Sequence, residues 1–153
     1  MSEHYTEDRV RDAYQRLVTD KIVVLDSGCV ISTRTPRAQR PWIKSHGKKL
    51  NAARVVLHYH GDVPHSPWLQ ASHLCGQRRC INYEHLAWEG PGPNTDRVMC
   101  HEWGQECIHD PPCVPFDPHV KKLLTVIQND ERLDRRVLFV SAELRNELLL
   151  ARN

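Results

Sequence analysis

Residues 72–113 read SHLCGQRRCINYEHLAWEGPGPNTDRVMCHEWGQECIHDPPC, in which cysteine and histidine recur as H-x-C-x4-C-x4-H from His73 to His85 and then as C-x6-C-x-H-x3-C from Cys100 to Cys113. That is ligand spacing for two zinc ions, with a histidine left over. Cys100, Cys107, His109 and Cys113 supply three thiolates and an imidazole within one short stretch, enough to close a tetrahedral structural site without a distant partner. The first cluster offers Cys75, Cys80 and His85 locally and lacks one corner. Cys29 is the remaining cysteine, and its recruitment would tie the amino-terminal third of the chain to the middle. A competing partition takes His73 as the fourth ligand and leaves Cys29 free; it is the less favoured of the two. Disulfides are the alternative for the whole set. The chain shows no signal peptide and no long apolar run, so a reducing compartment is expected, nuclear in a eukaryote and cytoplasmic otherwise, with no membrane partner.

A length of 153 residues and 40% hydrophobic content suit one domain with a modest core, which two zinc ions would supplement. The formal charge is +2, and each Cys3His site, three thiolates around a dication, adds a formal −1, so the loaded chain is close to neutral. Distribution says more than the total. Between Asp26 and Asp62 there is no acidic residue, while Arg34, Arg37, Arg40, Lys44, Lys48, Lys49 and Arg54 all fall there; residues 63–83 are also acid-free and add Arg78 and Arg79. A segregated basic face is the electrostatic footprint of a phosphate-backbone partner.

Periodicity places these groups. Thr6 caps a helix over 7–19 whose Val10, Ala13, Tyr14 and Leu17 share a face. Residues 21–25 and 29–33 form a hairpin around Asp26-Ser27-Gly28, and residues 37–44 and 48–51 form another around Ser45-His46-Gly47. Ala52, Val55, Val56 and Tyr59 recur with helical period up to Gly61. Trp68 to Leu74 reads as a strand carrying His73, Tyr83 to Trp88 as a helical turn, Gly90-Pro91-Gly92-Pro93 as a breaker, and Asn94 to Met99 as a helix. His46, His58, His60, His65, His101 and His119 read as surface or core residues, and the four tryptophans as packing. Val120, Leu123, Leu124 and Ile127 form one apolar stripe, continued by Leu133, Val137, Val140, Leu144 and Leu148; alternatively Val137 to Val140 is a strand and Ser141 caps a last helix. The stripe either packs back on the domain or forms a two-fold interface.

Ser72-His73-Leu74-Cys75, Cys80-Ile81-Asn82, His85-Leu86, Asn94 and the Cys100/Cys107/His109/Cys113 knot together resemble the His-Cys box homing endonucleases of the ββα-metal (His-Me finger) nucleases. The resemblance covers roughly residues 29–113 and is strongest over 72–113. It implies an α+β fold, a small antiparallel sheet with helices around a zinc-braced ββα-metal core carrying two structural zinc sites. It further implies a homodimeric, magnesium-dependent double-strand DNA endonuclease over residues 1–117, with residues 118–153 as a helical carboxy-terminal segment suited to dimerisation. In that reading His73 is the general base, Asn94 holds the magnesium ion, and an arginine on the sheet side assists. Arg40 is the candidate for that arginine, with Lys49 and Arg54 open. The family's zinc ligands correspond to Cys29, Cys75, Cys80 and His85 and to the second knot.

The residue types suit the chemistry. A neutral imidazole accepts a proton from water at physiological pH, and magnesium takes oxygen ligands, so one amide oxygen plus phosphate oxygens suffices. A reading from another class is a non-catalytic, zinc-stabilised DNA-binding module similar to the MH1 domains of signalling transcription factors. It needs the first zinc site and the basic hairpin but neither His73 with Asn94 nor the second knot. A zinc-stabilised protein-interaction domain, the third reading, leaves the acid-free stretch unexplained.

Overall fold

Thr6 accepts a hydrogen bond from the Arg9 amide at 3.4 Å and opens α1 (Glu7–Val18), which buries Val10, Ala13 and Leu17. The computed structural model describes residues 4–19, 21–35, 41–104, 106–130 and 138–150. The first hairpin follows as β1 (Ile22–Leu25) and β2 (Val30–Ser32), paired antiparallel. Its turn requires glycine. Gly28 has φ +91°, and a Cβ there would lie 3.3 Å from the His85 ring.

The second hairpin, β3 (Trp42–Ser45) and β4 (Lys48–Asn51), turns at His46-Gly47, both with positive φ. Alternation sorts its faces. Ile43, Ser45 and Leu50 are buried, while Lys44 and Lys49 stand opposite each other in register and exposed. Asn51 ends β4 and caps α2 (Ala52–Tyr59) by accepting the Arg54 amide at 3.0 Å. The buried faces of α1, β3, β4 and α2 form one apolar core, closed by Ile81 and Leu86.

β5 (Gln70–His73) and β6 (Leu86–Glu89) pair antiparallel, and α3 (Pro91–Trp103) packs on β5, giving a two-strand, one-helix unit. Two expectations are corrected here. Tyr83–His85 is a 3-10 turn, but the following residues to Glu89 are strand, because Leu86 and Ala87 find partners in His73 and Ser72. The run Gly90-Pro91-Gly92-Pro93 does not break the helix; it begins it, since proline in the first turn has its fixed φ and lacks only an N–H that would have no partner anyway.

A second core forms around Val23, Leu25, Ile31, Cys29, Cys75 and Cys80, covered by α4 (Val120–Asn129) through Val120, Leu123, Leu124 and Ile127. The apolar stripe at 120–127 is thus covered by the chain itself. β7 (Leu138–Val140) joins β1 in parallel, and Ser141 accepts the Leu144 amide at 3.1 Å at the start of α5 (Ala142–Leu150). A continuous helical stripe through Val140, Leu144 and Leu148 is therefore replaced by strand and helix; Leu133 and Val137 lie outside the described residues.

The α+β class holds, with the antiparallel pairing divided among three small sheets ordered β2-β1-β7, β3-β4 and β5-β6. Among the tryptophans, Trp68 and Trp103 are 71% and 69% exposed and do not pack as expected. No helix of the described residues is long and apolar enough to cross a membrane.

Candidate active site and metal centres

Both cysteine–histidine sets converge in space. The ligand atoms of Cys29, Cys75, Cys80 and His85, and those of Cys100, Cys107, His109 and Cys113, each lie within 4.8 Å of one another. With Zn–S near 2.3 Å and Zn–N near 2.05 Å, tetrahedral coordination sets sulfur and nitrogen about 3.6 Å apart. The observed separations fit. His85 Nδ1 lies 3.7 Å from Cys29 Sγ and 3.6 Å from Cys80 Sγ, and His109 Nδ1 lies 3.4, 3.6 and 3.6 Å from Cys100, Cys107 and Cys113.

Electrostatics points the same way. Without a cation the crowded thiols of the first set oppose one another. Hydrogen bonds from Cys75 and Cys80 push Cys29 down to about 2, while the same Cys29 contact drives Cys75 up to about 12 and raises Cys80 strongly. A divalent ion relieves this conflict by taking all three as thiolates.

The first set is threaded into the fold by backbone. Ile81 N donates to Val30 O at 2.7 Å, Asn82 Nδ2 donates to Gly28 O at 2.8 Å, and Leu74 N donates to His85 O at 2.7 Å. This clasp determines where His73 points. His73 ends β5, and its Nε2 donates to the Cys80 carbonyl at 3.2 Å, which assigns the proton to Nε2 and leaves Nδ1 as the acceptor. Burial lowers the ring to about 4, so it is neutral at physiological pH. The structure thus separates the leftover histidine from the zinc set and gives the fourth corner to Cys29.

Asn94 lies in the opening turns of α3. Its Oδ1 accepts from Ser72 Oγ at 2.9 Å and its Nδ2 donates to Gln70 Oε1 at 2.8 Å, so one lone pair of the amide oxygen stays open for a hard cation. His73 and Asn94 line one open cavity of about 690 Å³ together with Arg54, Arg78 and His101. Arg54 is held there by the Leu69 carbonyl at 3.1 Å, with its guanidinium 5.2 Å from the Trp88 ring centre. Pro41 and Asn51, at the near end of the second hairpin, also border the cavity.

The basic residues divide. Lys44, Lys48, Lys49 and Arg34 are exposed, Arg54 is half-buried, and Arg37 and Arg40 lie outside the described residues. Lys49 Nζ sits 4.4 Å over the Trp42 ring. Like charges directly opposite on a hairpin, as Lys44 and Lys49 are, cost stability in isolation. A polyanion offsets that cost.

Sequence reasoning passed over two cavity-side groups. His101 donates its Nε2 proton to Leu74 O at 2.8 Å and faces the cavity, and Arg97, 2% exposed, carries a buried polar network beneath Asn94. Neither has a spacing signal, because their partners are distant in sequence. Residues 45–125 match the family described as the zinc-binding loop region of homing endonuclease. No curated protein and no solved structure matches the chain. The matched residues span more than half of the chain and contain the ligands of the second cluster and all but Cys29 of the first, so the chain belongs to the His-Cys box homing endonucleases.

Proposed function

We propose that the chain is a metal-dependent DNA endonuclease that hydrolyses phosphodiesters with His73 as general base and Asn94 as the protein ligand of a magnesium or similar divalent ion. The observation that carries this reading is that both side chains line one cavity, together with Arg54 and Arg78 and with Asn51 at the end of the lysine-bearing hairpin. Each has the form its role needs. The Cys80 carbonyl fixes the His73 ring and leaves Nδ1 to take a proton from water. Gln70 and Ser72 hold the Asn94 amide from two sides. The divalent ion, when bound, would offset charge on the scissile phosphate and the departing 3′ oxygen.

Arg54 stands on the cavity wall and contacts phosphate in this reading; Arg40, next to the cavity residue Pro41, keeps its proposed assisting role on the sheet side. Lys44, Lys48 and Lys49 follow the duplex backbone in this reading, and Arg34 and Arg37 are further candidates for phosphate contact. One such centre cuts one strand, so double-strand cleavage calls for a two-fold pair of chains.

Incubation of the zinc-loaded protein with supercoiled plasmid, with and without magnesium, tests the proposal. Metal-dependent linearisation is expected; binding without cleavage at any magnesium concentration would instead select the non-catalytic module. His73→Ala should lower cleavage by about two orders of magnitude or more while DNA binding survives. Asn94→Ala should lower it comparably, with partial recovery at high magnesium.

A further inference from the structure

Side-chain hydrogen bonds join α3 to the β5 segment in both its opening and its closing turns. In the opening turns Asn94 engages Ser72 Oγ at 2.9 Å and Gln70 Oε1 at 2.8 Å. In the closing turn His101 Nε2 reaches the carbonyl of Leu74, the residue between His73 and Cys75, at 2.8 Å. A carbonyl can only accept, so this ring carries its proton on Nε2. The same oxygen also takes the Val114 amide at 2.8 Å. His101 follows Cys100 and Val114 follows Cys113, so both limbs of the second Cys3His set meet on one carbonyl next to His73.

Leu74 is buried, and a buried carbonyl needs a donor, which Val114 already supplies. His101 adds a second donor to an acceptor that is satisfied without it, and the chain makes room for the ring that does so. Gly76 has φ +71°, and a Cβ there would lie 2.8 Å from Nδ1 and 2.9 Å from Cγ of His101, closer than such atoms approach. Only glycine takes that backbone and leaves that space. The Gly76 amide in turn donates to His73 O at 3.1 Å, so the ring is seated on the turn that leads away from His73.

We infer that His101 is a positioning residue that pins the closing turn of α3 to the Leu74 carbonyl and thereby fixes the separation of His73, on β5, from Asn94, on α3. A base and a metal ligand carried by different elements act on one phosphate only if their separation is held to a fraction of an ångström. The bonds of Asn94 itself register the helix at one point. His101, about two turns further along, keeps the helix from pivoting about that point. The consequence for cleavage rests on the endonuclease reading above; the registration of α3 does not.

The test uses the full, zinc-loaded chain with two variants. His101→Leu removes the donor, and His101→Gln returns an amide N–H close to the place of Nε2. In the wild type, a long-range nitrogen–proton correlation spectrum should show the His101 proton on Nε2. The His73 ring signals, identified by their disappearance in His73→Gln, should move in His101→Leu and return toward their wild-type positions in His101→Gln. The rate constant of single-turnover cleavage at saturating DNA and magnesium should fall at least about tenfold in His101→Leu, since a displacement of about 1 Å costs up to about a hundredfold. His101→Gln should recover most of that loss, and zinc content and metal-free DNA affinity should be unchanged in both. A wild-type His101 proton on Nδ1 would overturn the inference, as would unmoved His73 signals in His101→Leu. Equal losses of rate in the two variants would overturn it too, because the donor would then not matter, and loss of the second zinc in His101→Leu would trace the effect to the metal site instead. If wild-type protein cleaves nothing, the endonuclease reading fails, and the ring signals still decide the registration of α3. If His101→Leu does not fold, His101→Asn, whose shorter amide does not reach Leu74, takes its place.

Discussion

The two Cys3His sites share a ligand set and differ in nearly everything else. Cys29 and His85 are separated by 56 positions, and all four ligands of the first site are buried. The second closes within residues 100–113, with Cys107 exposed and the other three ligands half-buried. The first is part of a core, since Cys29, Cys75 and Cys80 pack with Val23, Ile31 and Leu123. The second is a clip nearer the surface, joined inward through α3, which carries Cys100, and through the Arg97 contacts to Cys113 and Pro111. Identical chemistry therefore serves two purposes. Metal in the first site closes a long loop and organises both the hairpin and His73, while metal in the second orders a short segment that few other contacts hold.

The largest effect expected from this contrast is at Cys29. Cys29→Ser should lose about one of two zinc ions per chain, and because structural zinc binding contributes on the order of 10 kcal/mol, comparable to a whole domain's stability, the variant should lose its cooperative thermal transition. Zinc content by atomic absorption and a melt followed by circular dichroism are the measurements. Retention of both zinc ions would mean that the first site does not use Cys29, and the comparison would collapse.

Cys107→Ser should also lose about one zinc ion but keep a cooperative transition, because the second site's ligands are local and none of them is buried. A fall in Tm of several degrees corresponds to roughly 1–2 kcal/mol for a domain of this size. A chelator competing with wild-type protein should remove zinc in two phases, the faster one from the second site. Selective cobalt or cadmium reloading after the first phase identifies which site emptied. A single phase would show that the two sites open together, and burial would then be the wrong basis for separating them.

The legibility of the sequence follows the same division. The second site was fully readable because its ligands adjoin one another, and the first was readable except for its far corner, which cysteine counting supplied. The helix capped by Thr6, the two hairpins and α2 were readable because each has a cap, a turn residue or a strict period. What misled was context. Pro91 and Pro93 looked like a stop and are a first turn, and Leu86–Glu89 becomes strand through pairing with β5. The roles of Arg97 and Glu89 were out of reach, because an arginine and a glutamate eight positions apart carry no period that announces a buried pair. His101, likewise, looked like any lone histidine until the fold placed it on the cavity wall.

The smallest effect sharpens the comparison at two glycines, one beside each site. Gly28 has φ +91° and Gly104, the cap of α3, has φ +65°, so alanine at either position pays the left-handed backbone penalty of about 1–2 kcal/mol. The surroundings then separate them. An added Cβ at Gly104 meets nothing within 4 Å, whereas at Gly28 it stands 3.3 Å from both Cε1 and Nε2 of His85, on a ring that must keep Nδ1 directed at three thiols. Gly28→Ala should therefore cost more stability than Gly104→Ala and should in addition weaken zinc retention at the first site, which Gly104→Ala leaves alone. Paired denaturant titrations and chelator competition measure both differences. Equal losses in stability with unchanged zinc retention would show that the His85 ring has room to retreat, and that the buried site is less tightly built than its packing indicates.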